Sequence, residues 1–189
     1  MPAWGAKDPR LGNNPFVFAV PYKDEAIVLD FAISQFSYGK METFRNEGKK
    51  LPYHGGFNAQ NQLTDDPGEI LESWRPLPLG YWKGAGLSLL LDILATILSA
   101  GLSTHQIGSC DSESSMSQVF IAINIKSLHN FPAIKKSIDL ILNDLKKSVP
   151  ESESTTIRYP GENVVQARNE NLQNGISVDR ELWEKIIKM

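Results

Sequence analysis

A glycine-rich segment with one lysine is the part of this sequence best suited to bind an anion. Gly80-Tyr81-Trp82-Lys83-Gly84-Ala85-Gly86 directly precedes an apolar run that predicts a helix. Glycines let a backbone approach a ligand closely, and a helix N-terminus offers free N–H groups and positive potential. Lys83 adds a point charge for a phosphate. The segment lacks the Lys-Ser/Thr pair of a Walker motif, so a tight loop with a surface lysine is the alternative.

Two aspartates lie within apolar segments. Asp30 follows Ala26-Ile27-Val28-Leu29. If it is buried, its carboxylate needs a ribose hydroxyl or a backbone N–H as donor, and the alternative is a turn at the end of a strand. Asp92 interrupts the apolar run from Leu87 to Ala100. A satisfied internal hydrogen bond is more typical of such a residue than a catalytic role.

The histidines and the single cysteine show no catalytic or metal-binding motif. His54, His105 and His129 have no acid at metal-ligand spacing, so the sequence predicts no metal site and no histidine as the catalytic acid. Cys110 lies in an unremarkable polar segment, which favours an inert or modestly exposed thiol. One cysteine cannot form an internal disulfide, so we expect a reducing, cytoplasmic location.

The amino-acid composition is typical of a globular protein. The 189 residues carry a formal net charge of -3, with 41% hydrophobic and 22% charged residues. This balance predicts one soluble domain over residues 1–189 and gives no reason to expect nucleic acid or a membrane as partner. The run from Leu87 to Ala100 is too short to span a bilayer and predicts a buried helix. The first residues lack the basic and apolar regions of a signal peptide.

The first half of the chain predicts a hairpin, a helix and a long loop. Strands are expected at Phe16–Val20 and Ala26–Ala32, and the apolar character of the second indicates burial on both faces. Ser37 to Glu47 has helical composition. Leu51 to Pro67 reads as a polar loop. The prolines within Arg75–Pro78 predict an extended segment.

The second half predicts two strands and three helices. Val119 to Ile125 and the short Ile157-Arg158-Tyr159 segment are expected to be strands. A helix beginning at Pro132 has an apolar stripe of Ile134, Ile138, Ile141, Leu142 and Leu145. Two shorter helices are expected near Asn163–Gln173 and Asp179–Lys188, with Asp179 as N-cap. The mixed order predicts an α/β or α+β fold, and the absence of Gly-x-Gly-x-x-Gly gives a Rossmann fold no support.

Several segments in order resemble the malate/L-lactate dehydrogenase family, which is structurally distinct from the Rossmann dehydrogenases. The segments are Pro2-Ala3-Trp4-Gly5, Gly12-Asn13-Asn14-Pro15, Phe18-Ala19-Val20-Pro21, Val28-Leu29-Asp30, Phe36-Ser37-Tyr38-Gly39, Leu51-Pro52, Gly55-Gly56-Phe57, Leu79-Gly80-Tyr81-Trp82-Lys83-Gly84, Ser117-Gln118-Val119-Phe120-Ile121-Ala122-Ile123, Pro160-Gly161-Glu162 and Asn174-Gly175-Ile176. Tyr38 and the Gly80–Lys83 segment narrow the resemblance to a reductase of a diketo acid.

The resemblance implies an enzyme that interconverts 2-keto and 2-hydroxy acids with NAD(H) or NADP(H). It further implies a homodimer and an α/β nucleotide-binding domain with a mixed, non-Rossmann sheet. The cofactor residues implied by position are Ala26, Ile27, Val28, Leu29, Asp30, Phe31, Ala32, Trp82, Lys83, Gly161, Glu162 and Asn163. Asn14 is implied as a lining residue of the pocket for the small acid substrate.

Two departures from the family pattern qualify this interpretation. Asn13 stands where the family commonly has Thr, and the family's proton-donating histidine lies in an N-terminal helical region that this sequence does not show. We therefore expect a C-terminal portion, from a truncated gene or one with a separate N-terminal half, that carries no catalytic residue of its own. The alternative is a non-catalytic remnant that acts as a dinucleotide-binding or dimerisation module.

Overall fold

The chain divides into two compact units. The computed structural model describes residues 1–178 and 180–189, so the predicted N-cap Asp179 lies outside the described residues. Unit 1 comprises Met1–Val17 and Asp30–Ile123, and unit 2 comprises Phe18–Leu29 and Asn124–Met189. Each unit is considered by itself below.

Helices and strands follow one another along the described residues. The strands are β1 (Phe16–Tyr22), β2 (Glu25–Phe31), β3 (Gly56–Phe57) and β4 (Leu63–Thr64). The α-helices are α1 (Tyr38–Asn46), α2 (Pro67–Ser73), α3 (Trp82–Ser99), α4 (Thr104–Ile107), α5 (Phe131–Lys146), α6 (Glu162–Asn174) and α7 (Arg180–Ile186). A single 3₁₀ turn at Ile125–Ser127 precedes α5.

β1 and β2 form the predicted hairpin. They pair in a two-stranded sheet, and the connection at Lys23–Asp24 is so short that the strands must be antiparallel. The expected burial of the second strand on both faces is wrong, because no β2 residue is buried and Leu29 is 42% exposed. A two-stranded ribbon buries its apolar residues only if another layer covers it.

The core of unit 1 lies where α1 and α2 pack together. Met41, Leu51 and Ile70 are buried there, and Phe36, Tyr38, Phe44 and Leu71 pack around them. Both helices have side-chain N-caps: the Ser37 hydroxyl accepts from the amide of Lys40 at 3.2 Å, and the Asp66 carboxylate accepts from the amide of Gly68 at 2.8 Å. The predicted helix at Ser37–Glu47 is confirmed within one residue at each end.

The predicted polar loop at 51–67 holds a small hairpin that the sequence did not reveal. Gly56 pairs with Thr64 and Phe57 with Leu63. Isolated bridges join Gly56 to Pro76 and Ser34 to Pro78, which confirms the extended conformation predicted for Arg75–Pro78. A strand of two residues is too short for any periodicity to be read.

The apolar helix α3 is longer and more exposed than the sequence predicted. It begins at Trp82, and its buried residues are Gly84, Ala85 and Ser88. By length and composition this 18-residue helix is long and apolar enough to cross a membrane, but the core helices of soluble proteins often have the same length and composition. Of its residues, 17% are buried. The expectation of a buried helix is therefore wrong for the described residues, since only one narrow face of α3 has packing partners.

Two predicted strands are absent from the described structure. Val119 to Ile125 has no strand, and Phe120 is 87% exposed there. Ile157–Tyr159 is likewise irregular. β propensity needs a neighbouring strand to become a ladder, and neither segment has one among the described residues.

Unit 2 is built on α5 and α6. Ile134, Ile138 and Leu142 of the predicted α5 stripe are partly covered, whereas Ile141 is 66% exposed. The hydroxyl of Tyr22 donates to the carboxylate of Asp139 at 2.9 Å, which fixes the end of β1 on α5. The helices predicted at 163–173 and 179–188 are observed as α6 and α7.

Candidate functional site

The turn before α6 packs against the middle of β2. The amide of Val28 donates to the carbonyl of Pro160 at 3.3 Å. Gly161 has φ +85°, and a Cβ placed on it would stand 3.1 Å from the nitrogen and 3.2 Å from the oxygen of Val28. A side chain at position 161 would therefore push the turn away from the strand. Two of the three predicted cofactor segments are brought together in unit 2 by this contact.

The same contact defines the outer edge of β2. Because Val28 donates to Pro160, its backbone groups point away from β1. Backbone groups in a strand alternate between its two neighbours, so Ala26 shares that edge. The edge of β2 beside Gly161 is thus a line of backbone donors and acceptors, which suits a ligand that lies along the strand.

An ion pair fixes the first residue of α6. Lys146 donates to both carboxylate oxygens of Glu162, at 2.8 and 2.6 Å, and to the carbonyl of Ile157 at 2.8 Å. The amide of Tyr159 donates to the same carboxylate at 3.3 Å. Glu162, a predicted cofactor residue, therefore also organises the turn around Gly161. No spacing in the sequence marks Lys146 as a partner of Glu162, which lies 16 residues away.

The third predicted segment, Trp82-Lys83, lies in unit 1 at the start of α3. Gly80 and Tyr81 both have positive φ, at +61° and +60°. Their conformation turns the chain into the helix without a side-chain N-cap. Trp82 is 64% exposed and Lys83 is exposed. Within this first turn the amide of Lys83 already donates to the carbonyl of Gly80 at 3.2 Å and Gly84 is buried, so the exposed side chain of Lys83 is the feature left for an anion.

The glycines of this segment differ in role. A Cβ on Gly84 would meet the backbone nitrogen of Leu79 at 2.7 Å and come closer still to its carbonyl oxygen. On Gly86 a Cβ would meet no described atom within 4 Å. Gly84 therefore allows the helix to pack on the preceding turn, which is a structural requirement, whereas Gly86 has no such constraint.

Asn14, predicted to line the substrate pocket, is held in a network within unit 1. Its amide nitrogen donates to the carbonyl of Ser88 at 2.9 Å and to its hydroxyl at 3.1 Å. The amide oxygen accepts weakly from Thr104 at 3.5 Å, and Thr104 also donates to Asp92 at 2.9 Å. Asp92 thus has the internal hydrogen bonds predicted for it. A substrate role for Asn14 stays a prediction.

Asp30 is exposed near the end of β2. It is neither a buried carboxylate nor a turn former, and it has no hydrogen bond or ion pair to side chains in the described residues. Ile27 and Val28 are partly covered, and Phe31 contacts Phe16 edge-on with ring centroids 6.1 Å apart. Of residues 26–32, the structure therefore brings Val28 to another predicted site residue, Gly161.

The histidines are exposed or held by local contacts. His105 shares a 2.7 Å hydrogen bond with the hydroxyl of Ser103, and His54 and His129 are exposed. Within residues 1–178 and 180–189, no group of three or more His, Cys, Asp or Glu could hold a metal ion. Cys110 is free and exposed.

Tyr38, one of the residues that narrowed the family resemblance, belongs to the core of unit 1. Its ring lies 5.5 Å from that of Trp74. Burial, with a smaller contribution from Glu113, raises the pKa of the Tyr38 hydroxyl above its usual value. The phenol thus stays protonated at neutral pH, and its contacts are those of a packing residue.

Solved structures of dehydrogenases share this fold. A malate dehydrogenase from Entamoeba histolytica matches 98% of this chain and 56% of its own, with 22% identity and a TM-score of 0.86. A malate dehydrogenase from Pyrococcus horikoshii OT3 matches the whole chain and 53% of its own, with 27% identity and a TM-score of 0.81. A sulfolactate dehydrogenase from Methanocaldococcus jannaschii gives 28% identity and a TM-score of 0.74 over 97% of this chain and 53% of its own. The class is thus the predicted non-Rossmann α/β dehydrogenase fold.

Sequence comparison gives the family. The profile described as malate/L-lactate dehydrogenase matches residues 1–187, and the chain belongs to this family. A 2,3-diketo-L-gulonate reductase from Citrobacter koseri is 40% identical over 187 residues, and one from Escherichia coli O6:K15:H31 is 41% identical. Each alignment covers 98% of this chain and 56% of the relative, so the chain spans about half the length of these reductases. The predicted resemblance to this reductase is confirmed.

Proposed function

We propose that this chain is the cofactor-binding part of an NAD(P)H-dependent reductase that converts 2,3-diketo-L-gulonate, or a closely similar 2-keto acid, to the hydroxy acid. Family membership and two reductases at 40% and 41% identity support this substrate class. Besides the small-molecule substrate and the cofactor, the partners implied by the sequence are a second copy of the chain and a separate N-terminal half. NADH and NADPH are equally compatible with the residues named above.

The observation that carries the proposal is the approach of Gly161 to Val28. The contact holds the Pro160–Gly161 turn against β2, so a cofactor that lies along the strand would meet the turn and the start of α6 as well. Glu162 and Asn163 follow at the start of α6, and the Lys146 ion pair fixes that start. Ala26 would hold the cofactor through its backbone groups, since the amide of Val28 already donates to Pro160. Lys83 stays a predicted phosphate ligand of unit 1, considered by itself. When bound, the reduced nicotinamide supplies a hydride to the keto carbon.

The proton for the resulting alkoxide comes, in this proposal, from a residue outside this chain. An effective general acid needs a partner that sets its orientation and its pKa. His54, His105 and His129 are exposed, and none is hydrogen-bonded or ion-paired to a carboxylate in the described residues. The chain alone is therefore expected to bind cofactor and to turn over little.

We further propose a homodimer in the cytoplasm. Exposed apolar residues on α3, among them Leu90 at 57% and Ile97 at 65%, support an oligomeric contact on that helix. The exposed thiol of Cys110 supports a reducing compartment. Sedimentation of the purified chain and fractionation of the source cells test these two statements separately.

The first experiment measures NADH and NADPH binding by calorimetry, and then diketogulonate reduction, with and without the remaining portion of a full-length relative added in trans. Cofactor binding by the chain alone, with turnover only after addition, is expected. Turnover by the chain alone would contradict the outside proton donor. Cofactor binding without turnover in either case would favour a dinucleotide-binding module.

Gly161→Ala tests where the cofactor binds. A Cβ at position 161 crowds the backbone of Val28 and shifts the turn on β2, so we expect the Kd for the cofactor to rise about tenfold, as for the loss of one good contact. Gly175→Ala is the control, because Gly175 has φ +84° but no described atom within 4 Å of a Cβ. It tests backbone strain alone and should leave the Kd unchanged. If both variants changed the Kd equally, the cofactor would not bind beside Gly161.

A further inference from the structure

The side chain of Arg75 is buried without a counter-charge. Only 7% of this residue is exposed. None of the ion pairs between described residues includes it. A guanidinium taken out of water is costly unless a carboxylate or phosphate compensates its charge. An uncompensated buried arginine therefore points to an anionic ligand.

The hydrogen bonds of Arg75 leave part of the guanidinium unused. Nη2 donates to the side-chain oxygen of Asn61 at 2.5 Å, and Nη1 donates to the carbonyl of Asn58 at 3.4 Å. The group lies over the ring of Phe57, with Cζ 5.1 Å from the centroid. Nε is buried and has no acceptor among the described residues. A guanidinium offers five N–H donors, so it can bind a further acceptor.

A cavity of about 260 Å³ opens beside this arginine in unit 1. Apart from small residues, its lining has two cationic side chains, an amide, two aromatic rings and two prolines, and no acid: Arg75, Lys7, Asn61, Trp4, Phe57, Pro2 and Pro78. Asp8, next to Lys7 in sequence, is paired with Arg10 at 2.6 Å. The cavity thus combines positive charge with apolar walls.

We propose that this cavity binds a small organic carboxylate, with Arg75 as its counter-ion and Lys7 at the rim. The fork of a guanidinium matches the two oxygens of a carboxylate, and charge-assisted hydrogen bonds of this kind are among the strongest in proteins. Trp4, Phe57 and Pro78 contact the carbon skeleton. None of these residues belongs to the predicted cofactor site, and the site stands whether or not the chain binds NADH.

NMR of the full chain tests the site directly. The Nε–H of Arg75 and the indole N–H of Trp4 are followed while pyruvate, propionate, chloride or inorganic phosphate is added at constant ionic strength. Both organic acids should shift both signals and chloride should shift neither, whereas inorganic phosphate, which the guanidinium also binds but which has no carbon skeleton, should leave the Trp4 signal unchanged. Arg75→Gln should weaken acid binding by about tenfold or more, the value of one charge-assisted pair. Shifts of equal size with chloride would mean an adventitious ion only and would overturn the proposal.

The two acids distinguish the sources of the carboxylate. Pyruvate bound about tenfold more tightly than propionate would identify a 2-keto acid, and equal affinities would identify carboxylates in general. No shift with either acid, or unchanged affinity in Arg75→Gln, would overturn the site.

A rim variant keeps the test decisive if Arg75→Gln does not fold. Lys7→Gln at the exposed rim should weaken binding about threefold, the value of one screened charge. Lys49→Gln, which removes an exposed charge away from the cavity, should leave binding unchanged. Separate NADH titrations of the same samples keep a failure of the cofactor proposal distinct from a failure of this one.

Discussion

Gly56 illustrates how one residue without a side chain holds the core of unit 1 together. A Cβ there would stand 2.6 Å from the carbonyl oxygen of Arg75 and 2.6 Å from Cγ2 of Ile70. The backbone of Arg75 cannot move freely, because its carbonyl also accepts from the amide of Phe57 at 2.9 Å. We therefore expect Gly56→Ala to lower the free energy of unfolding by about 1–3 kcal/mol, as overpacking does.

Urea unfolding followed by circular dichroism measures this loss. Gly39→Ala is the matched control, since Gly39 lies in α1 and a Cβ there would meet no described atom within 4 Å. Alanine in a helix should raise the free energy of unfolding by up to about 1 kcal/mol. A Gly56→Ala protein as stable as the Gly39→Ala protein would show that the contact relaxes without cost.

At the residue scale, the sequence patterns marked glycines without showing which of them the fold requires. Gly55-Gly56 and Gly84 stood within segments that resemble the family, and the structure shows backbone approach at Gly56 and Gly84. Gly86 stood in the same anion-binding pattern and is unconstrained. A glycine in a sequence cannot reveal what faces it, because that neighbour comes from elsewhere in the chain.

Gly84 and Gly86 lie two residues apart in α3 and should respond to the same substitution in opposite ways. Alanine at 84 meets the backbone of Leu79, which is not free to move aside, so the free energy of unfolding should fall by about 1–3 kcal/mol. Alanine at 86 adds helix propensity and should raise it by up to about 1 kcal/mol. Thermal unfolding of both variants checks the signs, and a gain in stability at 84 would show that the start of α3 can shift.

The ion pair between α5 and α6 should contribute a small coupling. Lys146 and Glu162 are 2.6 Å apart, with side chains 39% and 30% exposed. Solvent screening at that exposure limits the pair to about 0.5–1 kcal/mol. A double-mutant cycle with Lys146→Met and Glu162→Gln measures it, and the coupling should decline as salt is added.

The pair Lys147–Asp144 is the control for that cycle. Its atoms are 3.8 Å apart and its side chains are 76% and 85% exposed. Such a pair should show no measurable coupling. If both cycles gave the same value, the lower exposure of the Lys146–Glu162 pair would not strengthen it.

Elements with their own start and stop signals were predictable, and elements that depend on a distant partner were not. Ser37 caps α1, and the apolar stripe of α5 has a helical period, so both helices were expected where they are observed. The apolar run of α3 predicted a buried helix, and the segment 119–125 predicted a paired strand; neither is observed. Apolar composition indicates that a segment favours burial, but it does not show which other element packs against that segment.

At the scale of the whole molecule, motifs spread along the chain carried more information than its periodicity. The family prediction used short segments from Pro2 to Ile176 and is confirmed over residues 1–187. The local pattern alone reached only an α/β domain that binds an anion. The Pro160-Gly161 turn and β2 are more than 100 residues apart in sequence, and no local pattern brings them together. Such long-range contacts are fixed by the fold, which the motifs identified.

The exposed apolar segment Val119–Ile123 should make the isolated chain self-associate. Phe120, Ile121 and Ile123 are 87%, 82% and 73% exposed in an irregular segment. A contiguous exposed apolar patch favours association with another copy. Ile121→Asp should shift the mass measured by light scattering toward the monomer without changing the melting temperature, because the exposed side chain has little packing to lose. Val149→Asp, at an isolated and 90% exposed position, should leave the mass unchanged, and an unaltered mass for Ile121→Asp would move the association to α3.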